Sequence, residues 1–270
     1  MDAISGPSKI AWRTYTLAED MRLPGSTPTL LIFTLGAPTE CARRRLLPGG
    51  QVLETELWER CLAAALDAGH RSRCRLEVCS PAALDLPDGA RGVPQPGGSF
   101  GERLEQSLLG SFSRGAGPLV VVGTDVPGLA ARHVARALAA LDADPDGVVL
   151  GPSPDGGFYL LACGRPIADL AGATRWRRHD TLRGLIRSLR AAGRAVVLLD
   201  PLLDLDHRSD LEQWLAGWPA GDESWRGLTR SLDTLLASQC RPPAPGRVGR
   251  PRPAQLVRAA GRAPPAQSAI

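Results

Sequence analysis

Residues 118–129 read PLVVVGTDVPGL, and this stretch decides the fold. Leu119, Val120, Val121 and Val122 make an unbroken apolar run of strand length, bounded by Pro118 and Gly123, and Asp125 follows at once. A strand that is apolar on both faces belongs to a parallel sheet covered by helices, because a half-exposed strand would alternate. Pro127 and Gly128 stiffen the turn into a helix expected over 130–141, with Val134, Leu138 and Leu141 on one face. A carboxylate in this position lies outside a strand's carboxyl end and beside a helix N-terminus, where open α/β sheets bind ligands and where anions collect. A magnesium ion is typically held by one or two carboxylates plus substrate phosphates, and Asp125 suits that role.

The same alternation extends in both directions. TLLIFT at 29–34 is a second buried-strand run. A helix is expected over 52–68, with Leu53, Leu57, Cys61 and Ala64 on one face and Gly69 as its C-cap. Strands follow at 75–79, 148–150, 158–161 and 195–199, and helices at 102–109, around Leu182, Leu185, Ile186 and Leu189, and near 209–215. A last helix is expected over 224–236, with Ser224 as N-cap. Strands alternating with helices predict an α/β sandwich with a mainly parallel central sheet, in one domain spanning 29–240. Residues 1–28 read as an irregular extension, and 241–270, rich in proline, arginine and alanine, as a disordered basic tail.

Composition excludes several classes. The chain has 270 residues, 43% hydrophobic, 22% charged and 4% aromatic, which is ordinary for a globular enzyme. No apolar run reaches the roughly 18–20 residues of a membrane span, and no export leader opens the chain, so a cytoplasmic location is expected. The net charge of +4 arises in the tail, where six arginines face no acid; the rest of the chain is slightly acidic, which argues against nucleic acid as a partner. The six cysteines, at 41, 61, 74, 79, 163 and 240, form no C-x-x-C pair and no zinc pattern, so reduced thiols are expected. Cys74 and Cys79 would lie on opposite faces of one strand. His70, His133, His179 and His207 are isolated, and structural or surface roles are expected for each.

Two further acidic motifs stand at strand ends. In GPSPDGGFY at 151–159, Asp155 precedes Gly156 and Gly157, which would let the backbone approach a ligand closely. In DLDHRSDL at 204–211, Asp204 and Asp206 are two apart, so in extended backbone they point the same way and can share a cation; a helix cap is the alternative.

In this order and spacing the motifs are specific. Together with QPGGSFGERL at 95–104, in which Gln95, Gly98, Gly101 and Arg103 carry the match, and with Trp176, they cover residues 29–216. The chain resembles the bacterial GT-A-fold transferases known as rSAM/selenodomain-associated or arsenosugar-biosynthesis glycosyltransferases, a family similar to nucleotidyltransferases such as phospholactate guanylyltransferase. The resemblance implies a GT-A-like nucleotide-diphospho-sugar transferase fold and metal-dependent transfer of a sugar from a nucleotide sugar to a small-molecule acceptor. It implies that Asp125 coordinates a divalent ion, magnesium or manganese, on the donor diphosphate, with Asp206 and Asp204 completing the site. Asp155, the candidate base, would line the sugar or acceptor pocket with Gly156, Gly157 and Trp176, while Arg43, Arg45, Arg103, Gly123 and Thr124 would hold the donor phosphates.

The chain departs from the family pattern in places. Leu35 stands where a lysine is usual, Glu40 replaces a glycine and Ser99 an aspartate, and Arg177 and Arg178 replace small residues. Nucleotidyl transfer, the alternative, needs loop amides that cradle a triphosphate, and Glu40 would repel it. A third reading is a divergent nucleotide-binding protein without catalysis.

Overall fold

The computed structural model describes residues 27–44, 46–218 and 225–239. The N-terminal extension before Thr27, Arg45, Ser224, Cys240 and the basic tail lie outside the described residues.

Among the described residues, seven strands form one sheet: β1 (Thr29–Phe33), β2 (Arg75–Ser80), β3 (Ala90–Pro94), β4 (Leu119–Val122), β5 (Val148–Pro152), β6 (Phe158–Cys163) and β7 (Val196–Leu198). Their spatial order is β3-β2-β1-β4-β6-β5-β7. Only β6 pairs antiparallel, with β4 and β5; the other pairs run parallel. The expected mixed α/β fold with a mostly parallel sheet is therefore observed.

Alternate residues of the central strands feed two cores, as the strand period of two requires. Leu30, Ile32, Val120 and Val122 pack under α2 (Gln51–Arg71) and α4 (Ala131–Ala143), against Trp58, Leu62, Val134 and Leu141. Leu31, Val121 and Leu150 face the other way, under α3 (Phe100–Ser113) and α5 (Thr181–Ala191), against Leu104, Leu108, Leu185 and Leu189. Cys79 lies in this second core while Cys74 packs against the first, so the two thiols do face opposite sides. The described cysteines are all free. A third cluster joins the far side of α2 to α6 (Arg208–Gly217) and α7 (Arg226–Gln239) through Leu57, Cys61, Trp214, Trp225 and Leu232.

Three local expectations are corrected. Gly69 does not cap α2 but lies inside it, where a Cβ would meet Leu76 Cδ2 at 2.5 Å and Leu30 Cδ2 at 2.6 Å; the glycine lets the helix sit down on β1 and β2. The segment after β1 is not a loop but α1 (Ala37–Arg44), eight residues, of which only Ala37 and Glu40 are buried. Strand β3 also had no sequence signal, because it is an edge strand in which Val93 alone is buried. His133 serves the structure, its Nδ1 accepting the Ala130 amide at 3.0 Å at the start of α4.

Candidate functional site

The chain runs outward from β1 to β2 and β3, then returns to place β4 on the other side of β1. The carboxyl ends of β1 and β4 are thus the sheet's topological switch point, where open α/β sheets leave a crevice. Thr34 follows β1 and Thr124 follows β4, and their hydroxyls lie 2.9 Å apart. Thr34 Oγ1 accepts from Trp58 Nε1 (3.1 Å) and from the Gly36 amide (3.1 Å), which occupies both lone pairs, so its own proton goes to Thr124. This fully buried knot fixes the two loops against each other.

A cavity of about 120 Å³ opens here, lined by Thr34, Phe33, Phe100 and Phe158, by the strand-end residues Gly123, Thr124 and Asp125, and by Asp204. Arg43, Arg103 and Arg177 also reach it. Of the expected phosphate-binding residues, Arg43, Arg103, Gly123 and Thr124 are therefore on the cavity wall. Gln95 holds Arg103 in place: its Oε1 accepts from Arg103 Nη1 at 2.9 Å, while its Nε2 donates to the Thr34 carbonyl at 3.0 Å. Arg103 Nε is buried without a hydrogen-bond partner among the described residues. Arg177 adopts a left-handed backbone, φ 58°, rare for a residue with a Cβ.

The acids converge, but in a different grouping from the expected one. Asp155, Asp204 and Asp206 each offer an oxygen within 4.8 Å of the others. Asp155 is set by the Gly157 amide, which donates to its Oδ1 at 2.7 Å. Gly156, at φ 91°, permits this turn, since any Cβ there would collide with the His179 carbonyl. Asp204 and Asp206 arrive on the strap after β7, tied down by the Leu205 amide on the Asp125 carbonyl at 2.9 Å and by the Leu202 amide on the Pro152 carbonyl at 3.1 Å. Within DLDHRSD, capping falls to Asp210, whose Oδ2 accepts the His207 amide at 2.7 Å, so the cap uses neither the Asp204 nor the Asp206 carboxylate. Burial, then the negative charge of Asp125, Asp155 and Asp206, pushes the Asp204 carboxyl up to about 7. Such mutual repulsion marks a place that a cation would relieve.

Asp125, expected among the metal ligands, is not in this trio; its Oδ2 lies 3.2 Å from Arg44 Nη2. Burial raises its pKa, with Arg44 opposing and Asp206 reinforcing the rise. Gly123 makes room for it, because a Cβ there would meet Asp125 Oδ1 at 2.5 Å. Glu40 also differs from expectation. It is buried and paired with Arg43 (3.3 Å) and Arg44 (3.0 Å), so it is neutralised rather than repelling phosphate. Trp176 does not line the cavity: its indole packs against Phe100 and Phe158 and donates to the Ala171 carbonyl at 2.8 Å. Arg44 itself carried no sequence signal beyond its place in an arginine run, since its partners are distant in the chain.

The strand order, the single reversed strand and the switch-point crevice define a nucleotide-diphospho-sugar transferase (GT-A-like) fold. A protein from Desulfovibrio desulfuricans G20 assigned as a nucleotide-diphospho-sugar transferase shares it, with a TM-score of 0.66 at 22% identity over 78% of this chain and 98% of that one. A Mycobacterium tuberculosis H37Rv protein in complex with manganese gives a TM-score of 0.47 at 20% identity, over 71% of this chain and 100% of that one. The 4-diphosphocytidyl-2C-methyl-D-erythritol synthase of Anaerococcus prevotii DSM 20548 gives 0.45 at 11% identity, over 70% and 96%. Residues 50–178 match the profile of a family described as "Uncharacterized protein conserved in bacteria (DUF2064)", a span that includes Asp125 and Asp155 but not Asp204 and Asp206. No curated protein matches the chain. Among the described residues no helix is long and apolar enough to cross a membrane.

Proposed function

We propose that the protein is a metal-dependent glycosyltransferase that takes a sugar from a nucleotide-diphosphate donor. The observation that carries this reading is the convergence of Asp155, Asp204 and Asp206, of which Asp204 lines the same cavity as Arg43 and Arg103. Three carboxylate oxygens suit a hard divalent ion, magnesium or manganese. When bound, such an ion neutralises the charge that develops on a departing diphosphate. The arginines grip phosphate oxygens, with Arg103 pre-aimed by Gln95 and its Nε left for the ligand. Phe33, Phe100 and Phe158 make an apolar wall that excludes water beside the charged end. In the reaction, the bond from the anomeric carbon to the diphosphate oxygen breaks, its electron pair leaving with the nucleotide. An acceptor oxygen or sulfur forms the new bond to the anomeric carbon and passes its proton to solvent water. Asp155 moves in this reading from acceptor-side base to ion holder.

Nucleotidyl transfer is the second reading. It is disfavoured by where the first-loop amides go: Leu35 donates to Glu40 Oε1 at 3.1 Å and Gly36 to Thr34 Oγ1 at 3.1 Å, so neither is free to cradle a triphosphate. Thermal shift with UDP-, GDP- and dTDP-sugars, with and without Mn²⁺, separates the readings. Stabilisation that needs both metal and a sugar nucleotide is expected. Stabilisation by a nucleoside triphosphate alone would favour the second reading, and no shift with any of them would leave a divergent, non-catalytic protein.

A further inference from the structure

The acids at the switch point are bridged by one buried arginine. Arg44, its side chain 8% exposed, stands at the last turn of α1. Its Nη2 lies 3.0 Å from Glu40 Oε2 and 3.2 Å from Asp125 Oδ2, and its Nε lies 3.6 Å from Asp206 Oδ1. That Nε is buried and makes no hydrogen bond among the described residues, so it faces Asp206 as an ion and not as a saturated donor. Arg43 adds a flanking charge, 3.3 Å from Glu40 and 3.6 Å from Asp206, but is four times more exposed. The three carboxylates come from three places in the chain: α1, the turn after β4 and the strap after β7.

Taking a cation out of water is costly, and one buried partner rarely offsets the cost. Here three carboxylates from three parts of the chain share it. A guanidinium cannot lose its proton in a protein and spreads its charge over a planar fork, so it can serve several acids at once. Asp125 is thereby hydrogen-bonded to a cation from within the chain, whereas Asp206 stands off from Arg43 and Arg44 at 3.6 Å, beyond hydrogen-bond reach, and its carboxylate can turn to an outside ion shared with Asp155 and Asp204.

We propose that Arg44 is a resident cation: it takes at Asp125 the place of a divalent ion, so that the site binds a single metal ion, at Asp155, Asp204 and Asp206, and Asp125 is not a ligand. This rests on the metal reading of that trio.

The test is Mn²⁺ binding, read by electron paramagnetic resonance of free Mn²⁺ and by calorimetry, with MnCl₂ as the only ligand. The wild type should bind one ion, Asp204→Asn should abolish binding, and Asp125→Asn should leave stoichiometry and affinity within about threefold of wild type. Arg44→Met, which leaves Asp125 without its close counter-ion and Glu40 with Arg43 alone, should gain a second ion or bind at least about tenfold more tightly. Arg44→Lys, which keeps the charge, should behave as wild type in stoichiometry. Loss of binding in Asp125→Asn, alongside loss in Asp204→Asn, would overturn the resident-cation proposal and leave the metal reading standing. Unchanged binding in a folded Arg44→Met would do the same. A wild type that binds no Mn²⁺ would overturn the metal reading and this proposal with it. Should Arg44→Met fail to fold, Asp125→Asn still decides.

Discussion

Replacing Asp204 by asparagine should make the metal-free protein more stable in alkaline buffer while removing its response to metal. Asp204 is half-buried near three other carboxylates, and its pKa rises from the ordinary 3.8 to about 7. A carboxyl raised on folding holds a proton that the unfolded chain releases. Stability from this group therefore falls as pH rises from about 4 to about 7 and is level above that. The full slope is about 1.4 kcal/mol per pH unit, so two units between pH 5 and 7 set a ceiling near 3 kcal/mol; partial exposure brings this to about 2 kcal/mol. Asparagine carries no such term. Urea unfolding in EDTA at pH 5, 6, 7 and 8 should therefore show the variant gaining about 2 kcal/mol on the wild type by pH 8, or roughly 4–8 °C in Tm for a domain of this size. Added Mn²⁺ should raise the wild-type Tm at pH 8 and leave the variant's unchanged. Stability curves that run parallel from pH 5 to 8 would refute the reasoning, because they would mean that Asp204 ionises alike in folded and unfolded chains.

Three other substitutions probe the scaffold. Gly156→Ala forces a left-handed backbone on alanine and drives its Cβ into the His179 carbonyl, so a loss of at least about 2 kcal/mol in urea unfolding is expected. Arg114→Met removes the main partner of Glu77, a fully buried carboxylate on β2 held by Arg114 Nη2 and Ser111 Oγ at 2.6 Å each; about 3 kcal/mol should be lost, because only Ser111 and the longer 3.5 Å contact from Arg75 remain to the buried charge. Trp176→Ala should cost about 3 kcal/mol through lost packing on Phe100 and Phe158, yet leave Mn²⁺ affinity as in the wild type; a selective loss of binding would return Trp176 to the ligand site.

What the sequence disclosed was local. The run Leu119–Val122 reads as a buried strand because its own four residues are apolar, and it is one. Asp125, Asp155 and Asp204 could be found because each follows a strand within a few residues, and parallel sheets put such positions at one edge. Periodicity failed where burial is slight: α1 has two buried residues in eight and β3 one in five. It also misread Gly69, since a glycine that ends a helix and a glycine that lets a helix approach a sheet look the same along the chain.

Charge compensation was the part that could not be read, and the reason is physical. Arg44 and Asp125 are 81 residues apart, and nothing near either one records the other. On sequence Glu40 looked hostile to phosphate and Asp125 looked like an unpaired ligand, because each was judged with its own neighbours as its only surroundings. Folding α1 over the switch point gives both acids the same guanidinium, while Asp155, Asp204 and Asp206 converge beside them. An acidic motif at a strand end therefore marks where negative charge gathers, whereas how that charge is compensated depends on where the arginines of α1 come to rest.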